Sequence, residues 1–268
     1  MNHPQIAAFA RLAKENTPPL RKLEGKGTLL GRTMHDFAFD AKHDEIVVTN
    51  PFAQAILTFK GGASGETPPI RVIQGPHTRI VSERGMDKVG IDPVNNEIYV
   101  ATSLNEILVF PREANGDVAP IRILGGPDTK VSGRPAIRID PVRNLLLVAE
   151  EGGGGEGMLI FDRTASGNTK PRAVFPGPSG NQFEIYNGLI VHAGRDSILA
   201  WSLDDVGKPD IRPRLKVNAP LGARAAQTGI VLDPVHKEVI IGTGAGNEVR
   251  TFSAPEVFDL AAPKSASR

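Results

Sequence analysis

There is no cysteine in the 268-residue chain. That excludes disulfides, thiolate metal sites and cysteine nucleophiles, and it leaves the redox compartment open. No apolar run approaches the roughly 18 residues of a membrane span. The N-terminal stretch MNHPQIAAFARLAKENTPPL lacks the long apolar core of a secretory signal. A complete chain would on that ground be cytoplasmic. A chain with its signal already removed would read the same and be extracytoplasmic. Net charge is only +1, so steering toward nucleic acid or an anionic membrane is not expected. The patterns GxSxG, HExxH, P-loop and EF-hand are absent. No motif points to a Ser/His/Asp triad.

What is there is a repeat. AILTFKGGASGETPPIRVIQGPHT (55–78) returns as EILVFPREANGDVAPIRILGGPDT (106–129). The shared skeleton is Ile-Leu-x-Phe, Ala-x-Gly, Pro-Ile-Arg and Gly-Pro-x-Thr. A period of about 50 residues marks a repeat architecture and one continuous body, so 1–268 is expected to be a single domain. The 29 glycines and 22 prolines fall at regular intervals, which reads as turns between short strands.

Four strand signatures recur, here called a to d. Strand a ends in an acid: FAFD (37–40), VGID (89–92), IRID (137–140), IVLD (230–233). A turn follows, with Pro after the acid in three copies. Strand b is a β-branched run: EIVVTN (45–50), EIYVAT (97–102), LLLVAE (145–150), EVIIGT (238–243). Strand c is AILTF, EILVF, MLIF, SILAW and EVRTF. Strand d carries Pro-x-Arg. In the compressed fourth copy, Asn187-Gly188 replaces the longer turn, and this dipeptide favours a two-residue hairpin that makes a and b antiparallel neighbours. Residues 6–28 match a c–d half-repeat, so the chain begins and ends at c. The stretch IAAFARLAK also has good helix formers. Ser253 with Glu256 forms a capping box for one short helix, and the segment 253–268 is that helix and a tail.

Four antiparallel strands in each such unit make the blade of an all-β propeller. Five sets imply five blades, with six the alternative if the chain is part of a longer parent. Pairing of the N- and C-terminal strands, 19–25 against 248–252, is expected to close the fold.

VGIDPVNNEIYVAT (89–102) followed by EILVF (106–110) resembles the NHL and YVTN-type β-propeller repeat superfamily. The resemblance covers nearly the whole chain and implies the fold. Such propellers most often have six blades, and this chain counts to five. The superfamily holds lactonases, peptidyl-amide lyases, ligand sensors and interaction scaffolds, and fold does not choose among them.

Repeated charges read as structural. Arg21, Arg71, Arg122, Arg172 and Arg214 recur on strand d. Each would pair with an acid while its stem covers apolar surface; a basic ring for a polyanion is the competing reading. Asp40, Asp92, Asp140 and Asp233 are turn residues. Trp201 aligns with Phe59, Phe110, Phe161 and Phe252 and is expected in the core. EEGGGGEG (150–157) precedes a strand and not a helix, so it reads as a flexible loop and not a phosphate cradle.

Polar residues that break the repeat are better candidates. The d-to-a loops and b-to-c loops share one rim of a propeller channel. The first set offers His35, Asp36, Glu83, Arg84, Asp87, Lys88, Arg134, Asn181, Gln182 and Gln227. The second offers Asn50, Asn105, Glu150, Glu151, His192, Arg195, Asp196 and Asn247. On strand a, Arg138 and Glu184 stand where other copies have Ala38, Gly90 and Val231. They are expected to form an ion pair across neighbouring blades, or to leave Arg138 as an anion-binding group beside a carboxylate. The candidate ligand-binding set is His35, Asp36, Asp87, Lys88, Arg134, Arg138, Gln182, Glu184 and Gln227. The lactonase branch of the resemblance implies a divalent cation at the channel, held by Glu, amide and Asp oxygens that suit calcium. His35, Asp36, Asp87, Asn181 and Gln182 approximate such a ring, though no blade carries the full ligand set in order. Otherwise no cofactor is expected. The expected function is a non-enzymatic scaffold binding a protein partner or small ligand at the channel rim. The alternative is a metal-dependent lactonase-type hydrolase or lyase.

Overall fold

The acid that ends each strand a wires the turn into strand b. Asp40 Oδ1 accepts the backbone N–H of Lys42 and of His43, at 3.0 and 3.1 Å, while Oδ2 meets His43 Nδ1 at 2.6 Å. Asp92, Asp140 and Asp233 repeat the arrangement with Asn95, Arg143 and His236. The last turn residue takes positive φ at Asp44, Asn96, Asn144 and Lys237. An acid with two backbone donors holds the turn shut and fixes the register of the hairpin.

A computed structural model describes residues 4–32, 34, 36–81, 88–133, 135–149, 157–177, 183–194, 196–208, 210–219, 229–243 and 248–260. The fold is an all-β propeller of antiparallel blades with one five-residue α-helix and five short 3-10 turns among the described residues. Two compact units divide it, Met1–Gly126 and Pro127–Arg268.

The first unit starts with β1 (Gln5–Ala8) and β2 (Arg21–Glu24), which pair with each other, Ile6 opposite Leu23. The helical option for this stretch is thereby excluded, and the c–d half-repeat stands. Blade 1 is β3 (Phe37–Asp40), β4 (Glu45–Asn50), β5 (Ala55–Lys60) and β6 (Arg71–Gln74). Blade 2 is β7 (Val89–Asp92), β8 (Glu97–Ala101), β9 (Glu106–Pro111) and β10 (Arg122–Gly125).

The second unit holds blade 3, β11 (Ala136–Asp140), β12 (Leu145–Ala149), β13 (Met158–Asp162) and β14 (Ala173–Phe175). Blade 4 is β15 (Phe183–Tyr186), β16 (Leu189–Ala193), β17 (Ser197–Ser202) and β18 (Leu215–Asn218). Asn187 and Gly188 join β15 to β16 with φ of 46° and 77°, as a two-residue turn of this type requires. Blade 5 is β19 (Ile230–Asp233), β20 (Glu238–Thr243) and β21 (Glu248–Ser253), three strands among the described residues.

Two expectations are corrected here. A ladder of 19–25 with 248–252 is not among the pairings of the described residues; Arg21–Glu24 pairs with Gln5–Ala8. The short helix α1 (Pro255–Asp259) has Ala254 at its N-cap with no side-chain cap. Ser253 belongs to β21 instead, because the backbone N–H of Ala254 is held by the Lys237 carbonyl and keeps the chain in the sheet to that point.

One packing position repeats in every blade. Phe59, Phe110, Phe161, Trp201 and Phe252 each lie opposite the second residue of strand b: Ile46, Ile98, Leu146, Ile190 and Val239. The first four are buried, and Phe252 is half-buried. Neighbouring blades share apolar layers. Val47, Ile56 and Ile73 pack with Val89, Ile98, Val100 and Phe110 in the first unit. Leu147, Ile160 and Phe175 pack with Phe183, Ile190 and Trp201 in the second.

Consecutive strands d are also latched by backbone bonds. Gly65, between β5 and β6, donates to Lys22 O and accepts from Glu24 N. Gly116, between β9 and β10, does the same with Val72 and Gln74. The following residue reaches back too: Asp117 accepts from His77 N at 2.8 Å, and Asn168 accepts from Asp128 N at 2.7 Å. Both glycines take positive φ, 60° and 80°, which suits a residue without Cβ. The β2 strand therefore stands to blade 1 as β6 stands to blade 2.

Candidate functional site

The repeated arginines serve their blades. Arg71 reaches back two strands to the buried Glu45 at the start of β4, at 2.5 Å, and Arg112 adds a second bond to the same oxygen at 2.9 Å. Burial pushes the Glu45 carboxyl up, but the hydrogen bonds and charges of Arg71 and Arg112 outweigh it and hold the group below its ordinary value. Arg122 bonds Glu97 at 2.7 Å, Arg172 bonds Asp162 at 2.9 Å and Arg214 forks onto Asp205. A basic ring for a polyanion does not survive this pairing. Arg21 differs: its guanidinium donates to the Gly61 carbonyl at 2.5 Å.

Arg138 and Glu184 come together. Arg138 is on β11 and Glu184 on β15, the first strands of blades 3 and 4, and the Arg138 Nε donates to Glu184 Oε1. A second Arg138 nitrogen donates to Ile137 O at 2.8 Å, and its guanidinium lies 5.6 Å from the centre of the Phe183 ring. The side chains keep 20% and 28% of their exposure, so a charged, bidentate-capable group on an aromatic face meets solvent here.

Of the remaining expected site residues, two are described. Asp36 spends its carboxylate on backbone: Oδ1 accepts Phe37 N at 3.1 Å, and Oδ2 accepts Val89 N of the next blade at 3.3 Å. Lys88, expected at a solvent rim, is buried, and its carbonyl continues the ladder by accepting Ala101 N. His35, Asp87, Arg134, Gln182 and Gln227 lie outside the described residues, as do Glu83, Arg84, Asn181, Glu150, Glu151, Arg195, Asn247 and the Gly-rich loop 150–156.

Two residues placed in b-to-c loops are strand residues. Asn50 ends β4, and its Nδ2 donates to Leu29 O at 2.8 Å. His192 sits in β16 opposite Phe183, at the place of Val48, Val100, Val148 and Ile241. Its ring lies edge-on to Trp201, Nδ1 is buried without a hydrogen bond, and burial pushes the imidazole down to about 4. The signal was readable: a polar residue stands in the repeat where every other copy has a β-branched one.

Calcium is the metal that the resemblance implies. Asp36 is the one member of the expected ring among the described residues, and both its oxygens hold backbone N–H groups. The other four lie outside the described residues. One other group brings ligand atoms within 4.8 Å of each other, Asp233, His236 and Glu238. Blade 1 repeats this trio as Asp40, His43 and Glu45, where turn bonds and arginines account for it.

No family model matches the chain, and no curated protein matches it. No helix among the described residues is long and apolar enough to cross a membrane.

Proposed function

We propose that this chain is a non-enzymatic binding propeller of the NHL or YVTN repeat kind. It takes a small ligand or protein segment bearing an anionic group at the first strands of blades 3 and 4. One observation carries the reading: the Arg138–Glu184 pair stands at a position that the repeat elsewhere fills with Ala38, Gly90 or Val231. A residue repeated in every blade serves the blade, whereas a charged pair that breaks the repeat, in partial contact with solvent and backed by Phe183, serves something outside it. The guanidinium offers planar, two-pronged recognition of a carboxylate or phosphate. Glu184 orients it in the free protein and yields part of its hold when an anion arrives.

The reading needs no cofactor and no nucleic acid. A thermal-shift screen of small carboxylates and inorganic phosphate tests it. A ligand at 100 times its Kd stabilises by about 2.7 kcal/mol, and that gain should vanish in Arg138→Gln. Calcium-dependent turnover of a lactone, lost in Asp36→Asn and kept in Arg138→Gln, would instead establish the hydrolase.

A further inference from the structure

The buried charges of this fold are matched, with one exception among the described residues. Asp40, Asp92 and Asp140 hold turn N–H groups, and Glu45 and Glu97 hold arginines. Lys88 is the exception. It is 8% exposed, and among the described residues neither a carboxylate nor a hydrogen-bond acceptor meets its ammonium. The open lysines show the reverse: Lys22, Lys60, Lys208 and Lys237 each reach a carboxylate although they stand in solvent. A lysine is almost never buried without a partner, because a charge taken out of water needs a counter-charge. A buried polar group left over in this way points to an ion or a ligand.

The position also breaks the repeat. Lys88 directly precedes β7, and its carbonyl carries the β7–β8 ladder one step further by accepting Ala101 N at 3.1 Å. Alignment of the strands a sets it level with Asp36, Ala136, Gln182 and Gly229, so no other blade has a cation here. Asp36 stands one blade back in the same unit, close enough for its Oδ2 to accept Val89 N at 3.3 Å. That carboxylate takes the N–H groups of Val89 and Phe37 and does not pair with the neighbouring ammonium. Main-chain bonds on both sides thus fix the residue. The next position on the same face of the strand is Gly90, buried, which adds no side chain beside the lysine stem.

We propose that Lys88 is a halide site: its ammonium holds a chloride ion in the first unit, and the ion supplies the counter-charge that the chain does not. An ammonium is a compact point charge with three donors, which suits a monatomic anion. The guanidinium fork of Arg138 suits the paired oxygens of a carboxylate or phosphate instead. Cover over more than nine-tenths of Lys88 favours the small ion over a bulky one. Bound chloride offsets the cost of the buried charge and stabilises the folded chain by mass action. The site is independent of the anion reading at Arg138, which belongs to the second unit.

The chloride NMR line width of sodium chloride solutions reads the ion while it is held by the slowly tumbling protein. The full wild-type chain should broaden the line, and sodium bromide should reverse the broadening by competition. The broadening should survive in Arg138→Gln and be lost in Lys88→Met. No broadening by the wild type overturns the proposal, and so does equal broadening by wild type and Lys88→Met. Loss in Arg138→Gln with retention in Lys88→Met would assign the ion to the second unit and overturn it as well. Wild-type crystals soaked in sodium bromide give a readout that needs no variant. An anomalous peak in contact with Lys88 Nζ is the expected result. An ammonium met there by water alone would show a lysine that merely reaches solvent, and the halide site would be wrong.

Discussion

The Arg138 guanidinium on β11 donates to the Glu184 carboxylate on β15, across the first strands of two neighbouring blades. Each of these side chains would be costly alone in so little solvent, and together they offset much of that cost. Removing Arg138 by itself should therefore destabilise the fold more than removing both. Urea unfolding of Arg138→Ala, Glu184→Ala and the double variant should give a coupling of about 1–3 kcal/mol. Additive losses would mean that the pair contributes nothing to folding.

A second expectation concerns the repeated aromatic position. Phe59→Ala, Phe110→Ala and Phe161→Ala should each cost roughly 3–5 kcal/mol, because each removes a fully buried ring. Phe252→Ala should cost less, since Phe252 is half-buried in the three-stranded blade. Denaturant midpoints read both. Equal costs at Phe252 and Phe59 would show that blade 5 is covered in solution.

That aromatic ladder was legible in the sequence because a strand pattern with a long period fixes which residues are equivalent, and equivalence fixes register. The turn acids and the Asn187-Gly188 hairpin were legible for the same reason, each being short-range chemistry. The Arg138–Glu184 pair could be read as a departure from the repeat at one position in adjacent copies. Lys88 lies in the connection before β7, as expected, but is buried, while Asn50 and His192 fall inside strands because loop boundaries shift by a residue or two. The partner of Arg21–Glu24 was also misjudged, since β1 and β21 both carry the strand-c pattern and pattern alone does not choose between them.

His192 should make the second unit acid-sensitive. Burial holds its folded-state value at about 4, below the ordinary 6.5, so the folded form disfavours the proton. The stability this contributes is complete above 6.5 and is lost as pH falls from 6.5 toward 4, by up to about 3 kcal/mol. His192→Val restores the residue type of the other blades and should flatten the profile in that window. An unchanged slope would place the acid sensitivity elsewhere.

Glu45 gives a separate window. Its carboxyl is held below 4.5 by Arg71 and Arg112, so the stability it contributes is present above that value and lost as pH falls below it. Glu45→Ala should cost about 3 kcal/mol at neutral pH, because two nearly buried arginines lose their shared partner. Replacing Glu45, Arg71 and Arg112 together by Met should recover most of that loss. Failure to recover would assign the cost to packing of the arginine stems.

The binding reading is tested most directly by isothermal titration with the best carboxylate or phosphate from the thermal-shift screen. Wild-type protein should show one saturable site. Arg138→Gln should weaken it at least tenfold, a loss of about 1.4 kcal/mol, while Glu184→Gln, which frees the guanidinium, should tighten it or leave it unchanged. Binding of the same strength in all three proteins, or in none, would contradict a ligand site at Arg138.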